Sequence, residues 1–165
     1  MSPAHGYIAL IDGYNVIKRH AAWRDLPLRE ARNRLIVLLA RTRWPVPVSR
    51  VLVVFDAPDS EGHPLHVSAG LSVRFAAPSA DAEIQQLIRT HPSPPRLIVI
   101  SDDGEILRTA KSHRTVCHST QWLVDRSALA ARGHKPETDK EMPPAATARQ
   151  ITEELAKRWL EHSEE

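Results

Sequence analysis

Apolar residues along this chain follow two rhythms. Short unbroken runs at Tyr7–Ile11, Val51–Phe55 and Leu97–Ser101 are rich in β-branched residues and bounded by turn formers, which predicts strands. They are apolar at nearly every position, as central parallel strands buried on both faces should be. Leu71–Ala76 carries Arg74 and small residues and predicts an edge strand, and Thr115–His118 predicts a weaker one. Between these runs the spacing lengthens to three and four. Leu28, Ala31, Leu35, Leu38 and Leu39 make one stripe after Pro27, on a helix that must stop before Pro45. Ile84, Leu87 and Ile88 mark a second helix with Ser79 as its N-cap, and Ile106, Leu107 and Ala110 a third capped by Asp103. A fourth is expected from about Ser119.

Strands alternating with helices predict one α/β domain over residues 5–130, a three-layer α/β/α arrangement on a central, mainly parallel sheet with right-handed crossovers. Residues 131–149 are rich in proline and predict a linker. Ile151, Leu155, Trp159 and Leu160 then predict a C-terminal amphipathic helix over residues 150–163. No internal repeat is present.

Composition narrows the class. The chain has 165 residues, enough for one domain with a real core. No run approaches the roughly 20 apolar residues of a membrane helix. The first residues lack the basic start and apolar stretch of a signal peptide. One cysteine, Cys117, leaves no intrachain disulfide and is expected as a buried small residue. The expectation is a cytoplasmic protein without a membrane partner; its oligomeric state is not legible. The histidines show no zinc spacing.

Net charge is only +2 and does not by itself announce nucleic acid. Its distribution says more, because Arg24, Arg29, Arg32, Arg34, Arg41 and Arg43 crowd together against Asp25 and Glu30. Such a run is either a solvated helix face or a basic flank that holds phosphates.

Four aspartates give that flank its meaning. Asp12, Asp56 and Asp102 each follow a predicted strand, and Asp81 opens a predicted helix. In a parallel sheet the strand C-termini share one edge, and ligands bind in the crevice there. Four carboxylates on that edge repel one another unless a cation neutralises them. An all-oxygen site suits Mg²⁺ or Mn²⁺, and its usual chemistry is phosphodiester hydrolysis. Taken singly, each acid also has a plain account as a turn former or helix-start residue; the coincidence of four carries the weight.

The neighbours of these acids refine the picture. Gly13 lets the backbone turn and admits a close ligand. Asn15 is placed to bond a phosphate, a water or Asp12 itself, and Ser101 to hold a water. Asp81 shares a helix face with Ile84 and Ile88. Glu83 is expected as a solvent-facing or capping residue. Pro58 stands where an aspartyl phosphatase needs its second acid, which argues against a phosphoenzyme.

The ordered set Asp-Gly-Tyr-Asn-Val-Ile (12–17), Ala31-Arg32 with Leu35-Ile36, Val-Val-Phe-Asp (53–56), Ser-Ala-Asp (79–81) and Ser-Asp-Asp (101–103) resembles the YacP-like branch of the NYN domain family over about residues 7–127. The resemblance implies a PIN-like fold and a metal-dependent endoribonuclease, with Asp12, Asp56, Asp81 and Asp102 as catalytic and metal-holding acids and Mg²⁺ or Mn²⁺ as cofactor. By the same resemblance Asn15 is a site position and Arg32 a basic position of the first long helix. On that basis Asn15 and Ser101 would orient waters or the scissile phosphate, Arg32 with Lys18, Arg24 and Arg29 would grip flanking phosphates, and Tyr14 or Trp23 would stack on a base. The expected partner is RNA (mRNA, tRNA or rRNA), with the ribosome a further candidate. Two departures stand out. Ala82 occupies a place where the family often has a second acid, and the lead-in to Asp81 lacks one too; Glu83 or Asp103 could compensate. The alternative is a non-catalytic RNA- or ribosome-binding module with a degenerate site.

Overall fold

The computed structural model describes residues 6–56, 65–68 and 70–132; the expected linker and C-terminal helix lie outside them. Six strands are joined by five helices. In chain order these are β1 (Tyr7–Asp12), α1 (Gly13–Arg19), α2 (Leu28–Arg41), β2 (Val48–Asp56), β3 (Leu65–Ser68), β4 (Leu71–Ala76), α3 (Ala80–Thr90), β5 (Leu97–Ile100), α4 (Gly104–Ser112), β6 (Val116–His118) and α5 (Thr120–Arg132).

The sheet order is β3-β4-β2-β1-β5-β6. Every pairing is parallel except β3 with β4. From β1 the chain builds outward through β2 to β4, then α3 carries it back across the sheet to β5 on the other side of β1. The order therefore reverses between β1 and β5, and that reversal opens a crevice beyond their C-terminal ends.

The apolar runs explain the layers. On one face of the sheet Ala9, Ile11, Val53, Phe55, Val73 and Ile100 pack with Val16 and Ile17 of α1, Ala31, Leu35, Ile36 and Leu39 of α2, and Leu123 of α5. On the other, Leu10, Val54, Leu97 and Val99 meet Ala80, Ile84 and Ile88 of α3 and Ile106 and Ala110 of α4. Alternate residues of β1 thus serve opposite layers, which is why its sequence is apolar throughout. Burying each of these large side chains contributes on the order of 1.5–3 kcal/mol over leaving it exposed.

Two expectations need correction, and one helix was not announced. Leu71–Ala76 is no edge strand: β3 pairs antiparallel on its outer side, and Leu71, Ser72 and Val73 are all buried. The hairpin closes through Gly70, whose φ of +81° suits glycine. Leu28 does not belong to the apolar stripe of α2, being 45% exposed, while Ile36 does. A short helix, α1, begins immediately after Asp12, in a stretch whose apolar positions are too few to announce one. Helices α3 and α4 start where expected. The Ser79 side chain accepts from the Ala82 N–H at 3.1 Å, and that of Asp103 from Glu105 and Ile106.

Candidate active site

Asp12 ends β1 at the reversal point and is only 9% exposed. Burial lifts its carboxyl from the ordinary 3.8 to about 6. The Ser101 hydroxyl, which donates to it at 3.1 Å, and the Asn15 backbone N–H pull in the other direction. The charges of Asp56 and Asp103 push it up further. Ser101 reaches Asp12 because the parallel register sets Ile11 beside Ile100, so the next residues emerge together at the crevice.

Gly13 follows, and its lack of a side chain has a structural cause. A Cβ there would lie 2.3 Å from the Phe55 ring. The close approach anticipated for this glycine is to Phe55. Tyr14 then leans on the same ring, with centroids 4.9 Å apart, and its hydroxyl accepts from Arg32 at 2.9 Å. Burial raises the Tyr14 phenol, against the lowering influence of Arg32. Arg32 itself is 8% exposed, and its guanidinium lies 5.7 Å from the ring centres of Tyr14, Phe55 and Phe75. The guanidinium is thus packed among rings. Trp23, one of the two base-stacking candidates, is buried at 7% exposure and stacks on His20, so it offers no face to a base.

Asp56 ends β2 at the surface, and its Oδ1 accepts from the Ala80 N–H at 2.6 Å. It thereby fixes the first turn of α3, where Asp81 sits. One oxygen of Asp81 accepts from the Gln85 side-chain amide at 3.0 Å. The other, Oδ1, is buried and has no hydrogen-bond partner among the described residues. Burial and the adjacent Asp103 carboxylate both raise the Asp81 carboxyl. Gln85 is held in turn: its oxygen accepts from Thr109 at 2.9 Å and from Arg89 at 3.1 Å. Two donors on that oxygen oblige the NH₂ end to face Asp81. Glu83 pairs with Arg74 of β4.

The adjacent acids after β5 part company. Asp102 turns its carboxylate to the start of α5, accepting from the Thr120 N–H at 3.1 Å and from the Thr120 hydroxyl, with Arg19 at 3.9 Å. Its own N–H donates to the Asn15 side-chain oxygen at 2.8 Å. Asp103 caps α4 while acting on both Asp12 and Asp81. Asp103 therefore stands closer in effect to Asp12 and Asp81 than its expected role as a plain cap suggested. Adjacency to Asp102 in a Ser-Asp-Asp run was the one available signal. Lys18 and Arg19 are exposed on the last turn of α1.

The donors are hard oxygens in negative surplus, which suits Mg²⁺ or Mn²⁺ in kind. Two observations fit a cation: the buried Asp12 carboxylate and the bare Oδ1 of Asp81. Among the described residues, however, no three acids, histidines or cysteines are gathered closely enough to hold an ion as they stand. None of the described helices is long and apolar enough to cross a membrane.

A mainly parallel sheet between two helical layers, with carboxylates at its reversal point, is an arrangement found in PIN-like nuclease folds. The chain belongs to the YacP-like NYN domain family, whose model matches residues 9–165. Membership points to RNA-related nuclease function and to divalent-metal chemistry of the kind PIN-like nucleases use. Among solved structures the chain is similar to Rae1 (YacP) from Bacillus subtilis. A crystal structure of a mutant form superimposes with a TM-score of 0.60 at 24% identity, covering 76% of this chain and 77% of that one. Another crystal structure of the same protein gives 0.57 at 23% identity, covering 95% and 88%. At these identities the likeness is one of fold. No curated protein matches the chain.

Proposed function

We propose that the chain is a metal-dependent endoribonuclease that hydrolyses RNA phosphodiesters at the β1–β5 crevice. The observation that carries this reading is Asp12: a carboxylate 9% exposed at the reversal point, with the charges of Asp56 and Asp103 bearing on it. A buried acid pressed by two others is costly to keep ionised unless a cation joins it. Asp12, Asp56 and Asp81, with Asp103, would hold Mg²⁺ or Mn²⁺. Bound there, the ion supplies activation of water and neutralises phosphate charge.

The remaining residues have distinct tasks. Ser101 donates to Asp12 and accepts from the Asp103 N–H at 3.0 Å, so it positions both acids and has no proton left for substrate. Asn15 spends its side-chain oxygen on Asp102 and keeps its NH₂ for a phosphate oxygen. Arg32, buried, braces Tyr14 and is engaged by its hydroxyl and the surrounding rings, so the grip on flanking phosphates would fall to Lys18 and Arg19. Asp102 anchors α5 through both carboxylate oxygens, which directs it away from the ion-holding role.

A second reading, a non-catalytic RNA-binding module, is favoured by the absence of a gathered set of three ligands among the described residues. Ala82, exposed in the first turn of α3, adds to it. Cleavage of a pool of structured and single-stranded RNAs in Mg²⁺, Mn²⁺ and EDTA separates the two. Metal-dependent cutting that Asp12→Asn abolishes supports the nuclease. RNA binding without cutting in either protein supports the module.

A further inference from the structure

We infer that His118 forms a stacking subsite for an unpaired RNA base beside the crevice, an inference that rests on the nuclease reading above. His118 ends β6, the second strand over from β1. The register sets Ile11 beside Ile100 and Ile100 beside His118, and the Ser101 N–H donates to the His118 carbonyl at 3.3 Å. Two strand spacings of about 4.8 Å put His118 roughly 10 Å from Asp12 along the catalytic edge, in reach of a neighbouring nucleotide.

The imidazole is prepared for such a contact. Its ring lies flat on Trp122, with centroids 3.8 Å apart and planes 5° from parallel. Trp122 is itself seated in the core face and carries the Arg126 guanidinium 5.4 Å from its centre. Arg126 is tied to the Arg43 carbonyl at 3.0 Å. The stack is therefore rigid from behind, while His118 remains half-exposed. No hydrogen bond engages its ring nitrogens among the described residues. Burial, with a smaller contribution from Arg126, holds the ring below the ordinary histidine value, so it is neutral at pH 7 and presents a π-face with one donor and one acceptor.

Two further observations point to a nucleobase. Among the described residues the other aromatic rings named at the site are spoken for: Trp23 is buried, and Tyr14 and Phe75 both pack on Phe55. Exposed cations flank the path from Asp12 to His118, since Arg19 is 64% exposed beside Asp102 and Lys18 adjoins it. A phosphate backbone lying along Lys18 and Arg19 would deliver its base to the imidazole, in the groove-plus-platform arrangement used for single strands.

The test is binding of a short fluorescent single-stranded RNA in EDTA, with cleavage of the same RNA in Mn²⁺ run alongside. His118→Ala should weaken binding about tenfold or more, and His118→Phe should restore most of it. A series of oligonucleotides, each with one abasic position, should show a matching loss at a single site in the wild type, a readout independent of any variant's folding. Wild-type affinity in His118→Ala, or an abasic series without a sensitive position, overturns the subsite; if the wild type still cuts RNA in Mn²⁺, the nuclease reading survives. If the wild type neither binds nor cuts RNA, both fall.

Discussion

The Ser101 hydroxyl donates to the Asp12 carboxylate across the β1–β5 boundary while accepting from the Asp103 N–H. One oxygen thus joins a strand end to a helix start on the neighbouring strand's exit. Ser101→Ala strips the buried carboxylate of its side-chain donor. Leaving such a group unpaired costs on the order of 1–3 kcal/mol, and the Asp12 carboxyl should rise above 6. Urea denaturation at pH 7.5 and titration of Asp12 by NMR check this together; an unmoved Asp12 refutes the link.

Asp12 itself works against the fold. Its carboxyl binds a proton more tightly in the folded state, at about 6, than in the unfolded chain, at 3.8. Stability is therefore lost as pH rises from about 4 to about 6, and stays lost above. At about 1.4 kcal/mol per pH unit the deficit is on the order of 2–3 kcal/mol. Asp12→Asn should be the more stable protein at pH 7.5 and no better at pH 3.5. Denaturation midpoints at the two values decide it, and equal stabilities at pH 7.5 would show that the carboxylate is comfortable where it lies. Saturating Mn²⁺ should raise the melting temperature of the wild type and leave Asp12→Asn unmoved.

Gly13 and Phe55 are a matched pair. Gly13→Ala drives a methyl into the ring and should cost at least 1–3 kcal/mol, about the range of overpacked cores. Phe55→Leu in the same chain should recover part of that loss, because the smaller side chain vacates the contact. A double-mutant cycle measures the coupling; additive losses would mean that the ring is not what excludes the methyl.

Gln85 orients Asp81 from behind. Gln85→Leu removes the amide that engages one oxygen, so Asp81 is free to turn. Loss of such a supporting contact typically weakens a metal site 10–100-fold, roughly. Calorimetric titration with Mn²⁺ should show that loss with little change in melting temperature, since Gln85 is half-exposed. Unaltered affinity would detach Gln85 from the site.

These relationships differ in how far the sequence disclosed them. The positions of Asp12 and Asp56 were legible because each stands where an apolar rhythm stops, and a parallel sheet sends such stops to one edge; that of Asp81 was legible because it follows the Ser79 cap at a helix start. Ser79 and Asp103 were legible as caps, since residue type and position sufficed. The destination of a side chain was not. Arg32 looks like any helix arginine, and only the convergence of Tyr14, Phe55 and Phe75 from three elements buries it. Asp102 and Asp103 are chemically identical neighbours, and their division of labour depends on Thr120, which is distant in sequence. Likewise β3 is too short and too mixed to signal, so the flank of β4 looked open.

The Asp102 linkage makes the edge that carries Asp12 a mechanical relay. Its side chain is hitched to the first residue of α5 and its backbone to Asn15 in α1. Tension on α5 would pass through these three hydrogen bonds to the turn that carries Asp12. A shift of α5 along its axis therefore changes the tautness of the cleft.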